Sequence, residues 1–249
     1  MILAIDIGNT NAMFCIFKKL KIVKTFKLQI KNLNTKKQLN ELLIIISSYS
    51  VKGIIISSVV PKKNKIFKSF FIENLNINPY FTDNLLSKFS IKTKIKNKLE
   101  IGSDRLVNVI YAIKITKPPI LLIDFGTATT IDYINEDSVY EGGIISSGID
   151  LSLKCLHEYT AKLPLVSFSK TKFIIGNSTK SAIRSGFFWG YISMMEGLIK
   201  RIKSEKKVNP KIILTGGNAN FFKDYIKNIY LIDKNLTLKG LNFIYRKSI

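Results

Sequence analysis

ILAIDIGNTNAMFCI at residues 2–16 returns, altered, as ILLIDFGTATTIDYI at 120–134. At an offset of 118, six of the fifteen positions are identical: Ile2/Ile120, Leu3/Leu121, Ile5/Ile123, Asp6/Asp124, Gly8/Gly126 and Ile16/Ile134. In each copy an apolar run ends in Asp-x-Gly, small polar residues follow, and a second apolar segment begins. One repeat of half the chain length implies a duplicated domain. Pro118-Pro119 marks the join, because adjacent prolines break regular structure. The expected domains are 1–117 and 118–249.

Each half continues in the same way. Strands are predicted at Ala12–Phe17 and Lys21–Leu28, and again at Thr129–Ile134 and Val139–Ile145. A further buried strand follows in each, Gly53–Val59 and Lys211–Thr215. Apolar residues at helical spacing predict helices over Thr35–Ser47, Asp104–Lys114 and Ser178–Lys203. Strands interleaved with helices give an α/β class with a mixed sheet in each half.

The 249 residues are 46% hydrophobic, enough for a core without disulfide or metal support. Two cysteines in apolar surroundings, Cys15 and Cys155, suit a reducing cytoplasm. No apolar run approaches the roughly 20 residues of a membrane span. The start of the chain lacks a basic region, and Asp6 interrupts the first apolar run, so a signal peptide is not expected. The net charge of +22 would suit a nucleic-acid surface. Only four basic residues are arginine (Arg105, Arg184, Arg201, Arg246), and the lysines are scattered. Nucleic-acid surfaces favour arginine for its bidentate geometry. The charge is therefore assigned to lysine-rich codon usage, and neither nucleic acid nor membrane is expected as a partner.

An Asp at a strand end followed by Gly and small polar residues suits a phosphate or metal site, since Gly permits close backbone approach to a ligand. Asp6 would face a cation rather than phosphate itself. The same residues also make a plain hairpin turn, for which Gly-Asn is apt. The second copy, DFGTATT (124–130), adds Thr127, Thr129 and Thr130, of which Thr127 lies nearest the turn. GSDRL (102–106) opens a helix. Ser103 or Asp104 can cap it, or Asp104 can serve as a general base beside Arg105. EGGIISSG (141–148) and TGGNAN (215–220) are glycine-rich turns after strands. His157 reads as a capping or surface residue. Neither G-x-x-x-x-G-K-[ST] nor G-x-G-x-x-G is present, so a nucleotide site would be of another kind.

With two strand–Asp-x-Gly–turn–strand units, the chain resembles the acetate and sugar kinase, Hsp70 and actin superfamily, whose ribonuclease H-like domains hold ATP in a cleft between them. DIGNTN (6–11), SSVVP (57–61), GSDR (102–105), DFGTATT (124–130), GG-I-x-x-x-G (142–148) and GNST (176–179) occur in an order that resembles type III pantothenate kinase. That resemblance implies ATP-dependent phosphorylation of pantothenate to 4'-phosphopantothenate, the first step towards coenzyme A. It places the ATP phosphates on Asp6, Ile7, Gly8, Asn9, Thr10, Asn11, Ala12 and Met13, with Thr127 also touching ATP. It places pantothenate against Gly102, Ser103, Asp104, Arg105 and Thr179, and makes Asp104 the proton acceptor. It gives Asp124 a monovalent cation, K⁺ or NH4⁺, puts Mg²⁺ on ATP, and implies a cytoplasmic homodimer. Two positions depart from the pattern: Ser147 where related chains commonly have Pro, and Met13 where some branches have Lys. The alternatives are a kinase of another small alcohol on the same fold and a Bvg accessory factor-like transcriptional regulator.

Overall fold

The computed structural model describes residues 1–32 and 35–249. In chain order its elements are β1 (Ile2–Ile7), β2 (Asn11–Lys18), β3 (Lys21–Gln29), α1 (Lys36–Ser47), β4 (Gly53–Ser58), α2 (Pro61–Leu75), β5 (Tyr80–Phe81) and α3 (Ser103–Ile115). There follow β6 (Ile120–Phe125), β7 (Ala128–Ile134), β8 (Tyr140–Ser147), α4 (Ile149–Glu158), α5 (Thr179–Lys206), β9 (Lys211–Gly216), α6 (Ala219–Phe222), β10 (Ile229–Ile232) and α7 (Leu236–Ser248). They form two compact units, Met1–Ile115 with Asn235–Ile249, and Thr116–Lys234.

The two five-stranded sheets share one plan. The first is ordered β3-β2-β1-β4-β5 and the second β8-β7-β6-β9-β10. In each, the first strand pairs antiparallel with the second and parallel with the fourth. The predicted α/β class and mixed sheets are what the structure shows. The central strands β1 and β6 are covered on both faces, which is why they read as nearly unbroken apolar runs.

In the first unit, Leu3, Ile5, Ile7 and Phe14 on one face pack with Leu42 and Ile46 of α1 and Phe67, Phe70 and Phe71 of α2. On the other face Ala4, Cys15, Phe17 and Ile55 pack with Val107 and Ile110 of α3 and Leu238, Leu241 and Ile244 of α7. Helix α7 thus belongs with the first sheet, although its sequence lies in the predicted second half, 118–249. Its apolar stripe finds its partner more than a hundred residues upstream. In the second unit, Leu121, Ile123, Phe125 and Tyr133 pack with Phe188, Tyr191, Ile192 and Met195 of α5 and Ile149 and Leu153 of α4.

The repeat carries one slip. Ile2 pairs with Phe17, whereas Ile120 pairs with Ile134. Phe17 and Ile134 are therefore the equivalent positions, and the matched pair Ile16/Ile134 is not. The second turn is one residue shorter, so the offset is 118 before it and 117 after. A one-residue slip reverses which face a side chain occupies. Thr129 consequently takes the place of buried Ala12, and Thr130 that of Met13.

The two cysteines differ. Cys15 is fully buried, and burial pushes its thiol up to about 12, while Cys155 is exposed. A thiol reagent at pH 8 should modify one group per native chain and two after denaturation; two fast equivalents in the native protein would contradict this burial. Above pH 9 the unfolded chain releases the Cys15 proton that the fold retains. That part of the stability is present below pH 9 and falls as pH rises towards 12.

Candidate active site

In the first unit, Asp6 stands at the penultimate position of β1. Its register partners are Met13 on β2 and Ser57 on β4. The turn beyond is closed by Gly8 N–H donating to Asn11 O at 3.0 Å and buttressed by Ile30 N–H donating to Thr10 O at 3.0 Å. Asn9 and Thr10 are exposed, and Asn11 and Met13 are half-buried. Ile7 and Ala12 place their side chains in the core. Of the eight predicted phosphate residues, these two can meet a ligand only through their backbone.

Helix α3 begins at Ser103, so Asp104 lies in its first turn, where the helix dipole favours negative charge. Asp104 Oδ1 accepts from Arg105 N–H at 2.8 Å. A Cβ on Gly102 would fall 2.5 Å from that oxygen, so the glycine leaves the carboxylate its space. Ser57, fully buried, is 3.1 Å from Ser103 through their hydroxyls. The strand beside Asp6 is thereby tied to the helix start that carries Asp104. Ser57 and Ser103 each lie within a motif of the sequence, SSVVP and GSDR, but nothing in the sequence pairs them.

In the second unit, Asp124 has the place of Asp6 and pairs with Thr130 and Thr215. Gly216 follows with φ +89°, and a Cβ there would lie 2.5 Å from Asp124 Oδ1. The TGGNAN turn therefore borders the carboxylate, a role its sequence alone did not assign. Aligning the ends of the fourth strands, Ser57-Ser58 and Thr215-Gly216, would have exposed both neighbours of the paired acids. The three threonines separate clearly. Thr127 is exposed in the turn, Thr129 is buried, and Thr130 Oγ1 donates to Asp132 Oδ2 at 3.4 Å. Of the three, Thr127 is the exposed one.

The GG-I-x-x-x-G segment ends on this same turn. Gly148 N–H donates to Thr127 O at 2.9 Å. Ser147, the departure from proline, has its hydroxyl 2.7 Å from that of Ser152 on α4. Further on, Ser178 caps α5 in a reciprocal pair with Ser181, and Thr179 is the exposed first residue of the helix. Phe173, Ile174 and Ile175, just before the cap, are 69%, 67% and 85% exposed. Ile174 and Ile175 line an open depression of about 450 Å³ together with Trp189 and small residues of α5, including Ala182, Gly186 and Gly190. His157 Nδ1 lies 2.7 Å from Leu163 O and pins the end of α4, in keeping with the non-catalytic reading.

The described residues contain no cluster of three or more His, Cys, Asp or Glu able to hold a metal. Beside Asp124 lies the Gly216 turn, where a Cβ would come within 2.5 Å of its Oδ1, so the glycine leaves that carboxylate oxygen its space. No helix among them is long and apolar enough to cross a membrane.

Comparison with known proteins gives the family. The family model described as type III pantothenate kinase matches residues 2–201. A type III pantothenate kinase of Listeria monocytogenes is 36% identical over 254 residues, covering 100% of this chain and 98% of the relative. One from Bacillus cytotoxicus is 35% identical over 259 residues, covering 100% and 97%. Among solved structures, a Campylobacter jejuni protein described as a Baf family transcriptional activator superposes with TM-score 0.62 at 24% identity, covering 98% of each chain. A Sinorhizobium meliloti protein described as a 2-dehydro-3-deoxygalactonokinase gives 0.57 at 10% identity, covering 99% of each. At those identities the structural likenesses speak for the fold alone, whereas the full-length sequence matches reach the family: this chain belongs to the type III pantothenate kinases.

Proposed function

We propose that the chain transfers the γ-phosphoryl group of ATP to the primary hydroxyl of pantothenate, yielding 4'-phosphopantothenate and ADP at the entry to coenzyme A synthesis. The observation that carries this reading is the full-length relatedness to type III pantothenate kinases. The placement of paired acids at the ends of β1 and β6 supports it.

The turn Gly8–Asn11 receives the ATP phosphates, with backbone N–H groups and the Asn9, Thr10 and Asn11 side chains as donors. Asp6 orients the water shell of the nucleotide's Mg²⁺. Thr127 donates to a phosphate oxygen. Asp124 with the Gly216 turn holds a monovalent cation, which offsets phosphate charge when bound. Gly102, Ser103, Arg105 and Thr179 hold pantothenate. As the bond from its hydroxyl oxygen to the γ-phosphorus forms and the bridging bond to ADP breaks, Asp104 takes the hydroxyl proton. That transfer comes late, because phosphoryl transfer is loose and needs little early deprotonation. The exposed run Phe173–Ile175 beside the small-residue face of α5 supports a homodimer, since a contiguous apolar patch of this kind marks an interaction site.

The test is a coupled assay of ADP release with pantothenate, ATP, Mg²⁺ and K⁺, run beside a panel of other small alcohols. Turnover with pantothenate is expected to dominate. A folded protein that turns over only another acceptor would reassign the substrate, and one inert with all of them would overturn the kinase reading.

A further inference from the structure

Tyr191, on the inner face of α5, is 8% exposed and packs its ring against Phe187 and Phe222. Its hydroxyl leaves that apolar core and donates to the carbonyl of Ser147. Ser152 Oγ lies 3.4 Å from the same hydroxyl, 2.7 Å from Ser147 Oγ and 3.0 Å from Gly148 O. Two helices thus grip one turn, Ser147–Gly148, by side-chain hydroxyls. The turn in turn grips another. Gly148 N–H donates to Thr127 O at 2.9 Å. A Cβ on Gly148 would stand 2.3 Å from Gly126 O and 2.4 Å from Thr127 O. Contact this close means that a shift of Gly148 must move Gly126 and Thr127 with it.

We infer that Tyr191 and Ser152 are positioning residues for nucleotide binding: they fix Ser147–Gly148 and through it the Gly126–Thr127 turn. The inference rests on the reading that this turn meets the ATP phosphates. Asp104 and Gly102 belong to the other compact unit, whereas every residue of the network belongs to this one. The expected effect is accordingly on ATP rather than on the proton transfer.

Tyr191→Phe keeps the ring and removes only the hydroxyl. Losing one such hydrogen bond, typically about 0.5–1.5 kcal/mol, corresponds to about a 2- to 13-fold change in an equilibrium constant. Tyr191→Phe should raise the KM for ATP by up to that factor, and Ser152→Ala, which loses contacts to Ser147 and Gly148 as well, by at least as much. The KM for pantothenate and kcat should stay within about twofold. Thr127→Val, measured alongside, tests the underlying reading, and melting temperatures of all three variants report on folding. If Thr127→Val raises the ATP KM but Tyr191→Phe and Ser152→Ala do not, the positioning role is overturned and the ATP contact stands. If Thr127→Val leaves the ATP KM unchanged, both fall. A lowered melting temperature with unaltered kinetics, or equal rises in both KM values, would make the network a plain fold support and overturn the inference.

Discussion

Asp104→Asn should lower kcat by about 10²–10⁴-fold, the usual contribution of a positioned general base. The substitution is nearly isosteric. Its amide oxygen can still accept from Arg105 N–H, as Asp104 Oδ1 does at 2.8 Å, so the start of α3 keeps its geometry. Gly102 leaves the same space for either side chain. What disappears is the capacity to take a proton. The KM for pantothenate should therefore change by a few fold at most, and the loss should sit in kcat. Steady-state assays with a melting curve as control measure this directly. A variant with near-normal kcat would move the base to another group. One that loses only pantothenate affinity would make Asp104 a binding carboxylate.

The same residues show how far the sequence could be read. β1 and β6 were legible because each is buried on both faces and ends in the same Asp-x-Gly, so apolar pattern and repeat agreed. Helix α2 was hidden by its lysines. Its apolar positions Ile66, Phe67, Phe70 and Phe71 have helical spacing, with Pro61 at the first turn and Asn76 in a left-handed cap. Helix α7 was harder. Its stripe Leu238, Leu241 and Ile244 answers to Ala4, Cys15 and Ile55, and such a pairing has no local trace. The candidate site divides similarly. The acids stood out because a carboxylate after an apolar strand is unusual. The hydroxyl link from Ser57 to Ser103 did not, because two serines 46 residues apart reveal a contact only when β4 and α3 are both in place.

The proposed function gives the two acids of the repeat different parts, and Asp124→Asn tests the second. The change keeps the shape of the side chain and removes its charge. If Asp124 holds a monovalent cation against the ATP phosphates, K⁺ should cease to activate the variant. Turnover should then fall by about 10²–10³-fold, the range for losing one preorganised electrostatic contact. K⁺ should also no longer sharpen ATP binding, read as the nucleotide-induced rise in melting temperature. Gly216→Ala supplies an independent arm. Its methyl would fall 2.5 Å from Asp124 Oδ1, at a φ of +89° that alanine resists. It should weaken the K⁺ response while leaving the carboxylate's charge in place. Persistence of full K⁺ activation in Asp124→Asn would detach the cation from Asp124. Loss of ATP binding in Asp124→Asn at every K⁺ concentration would instead give the carboxylate a part in holding the nucleotide's Mg²⁺, like the part proposed for its counterpart Asp6 at the end of β1.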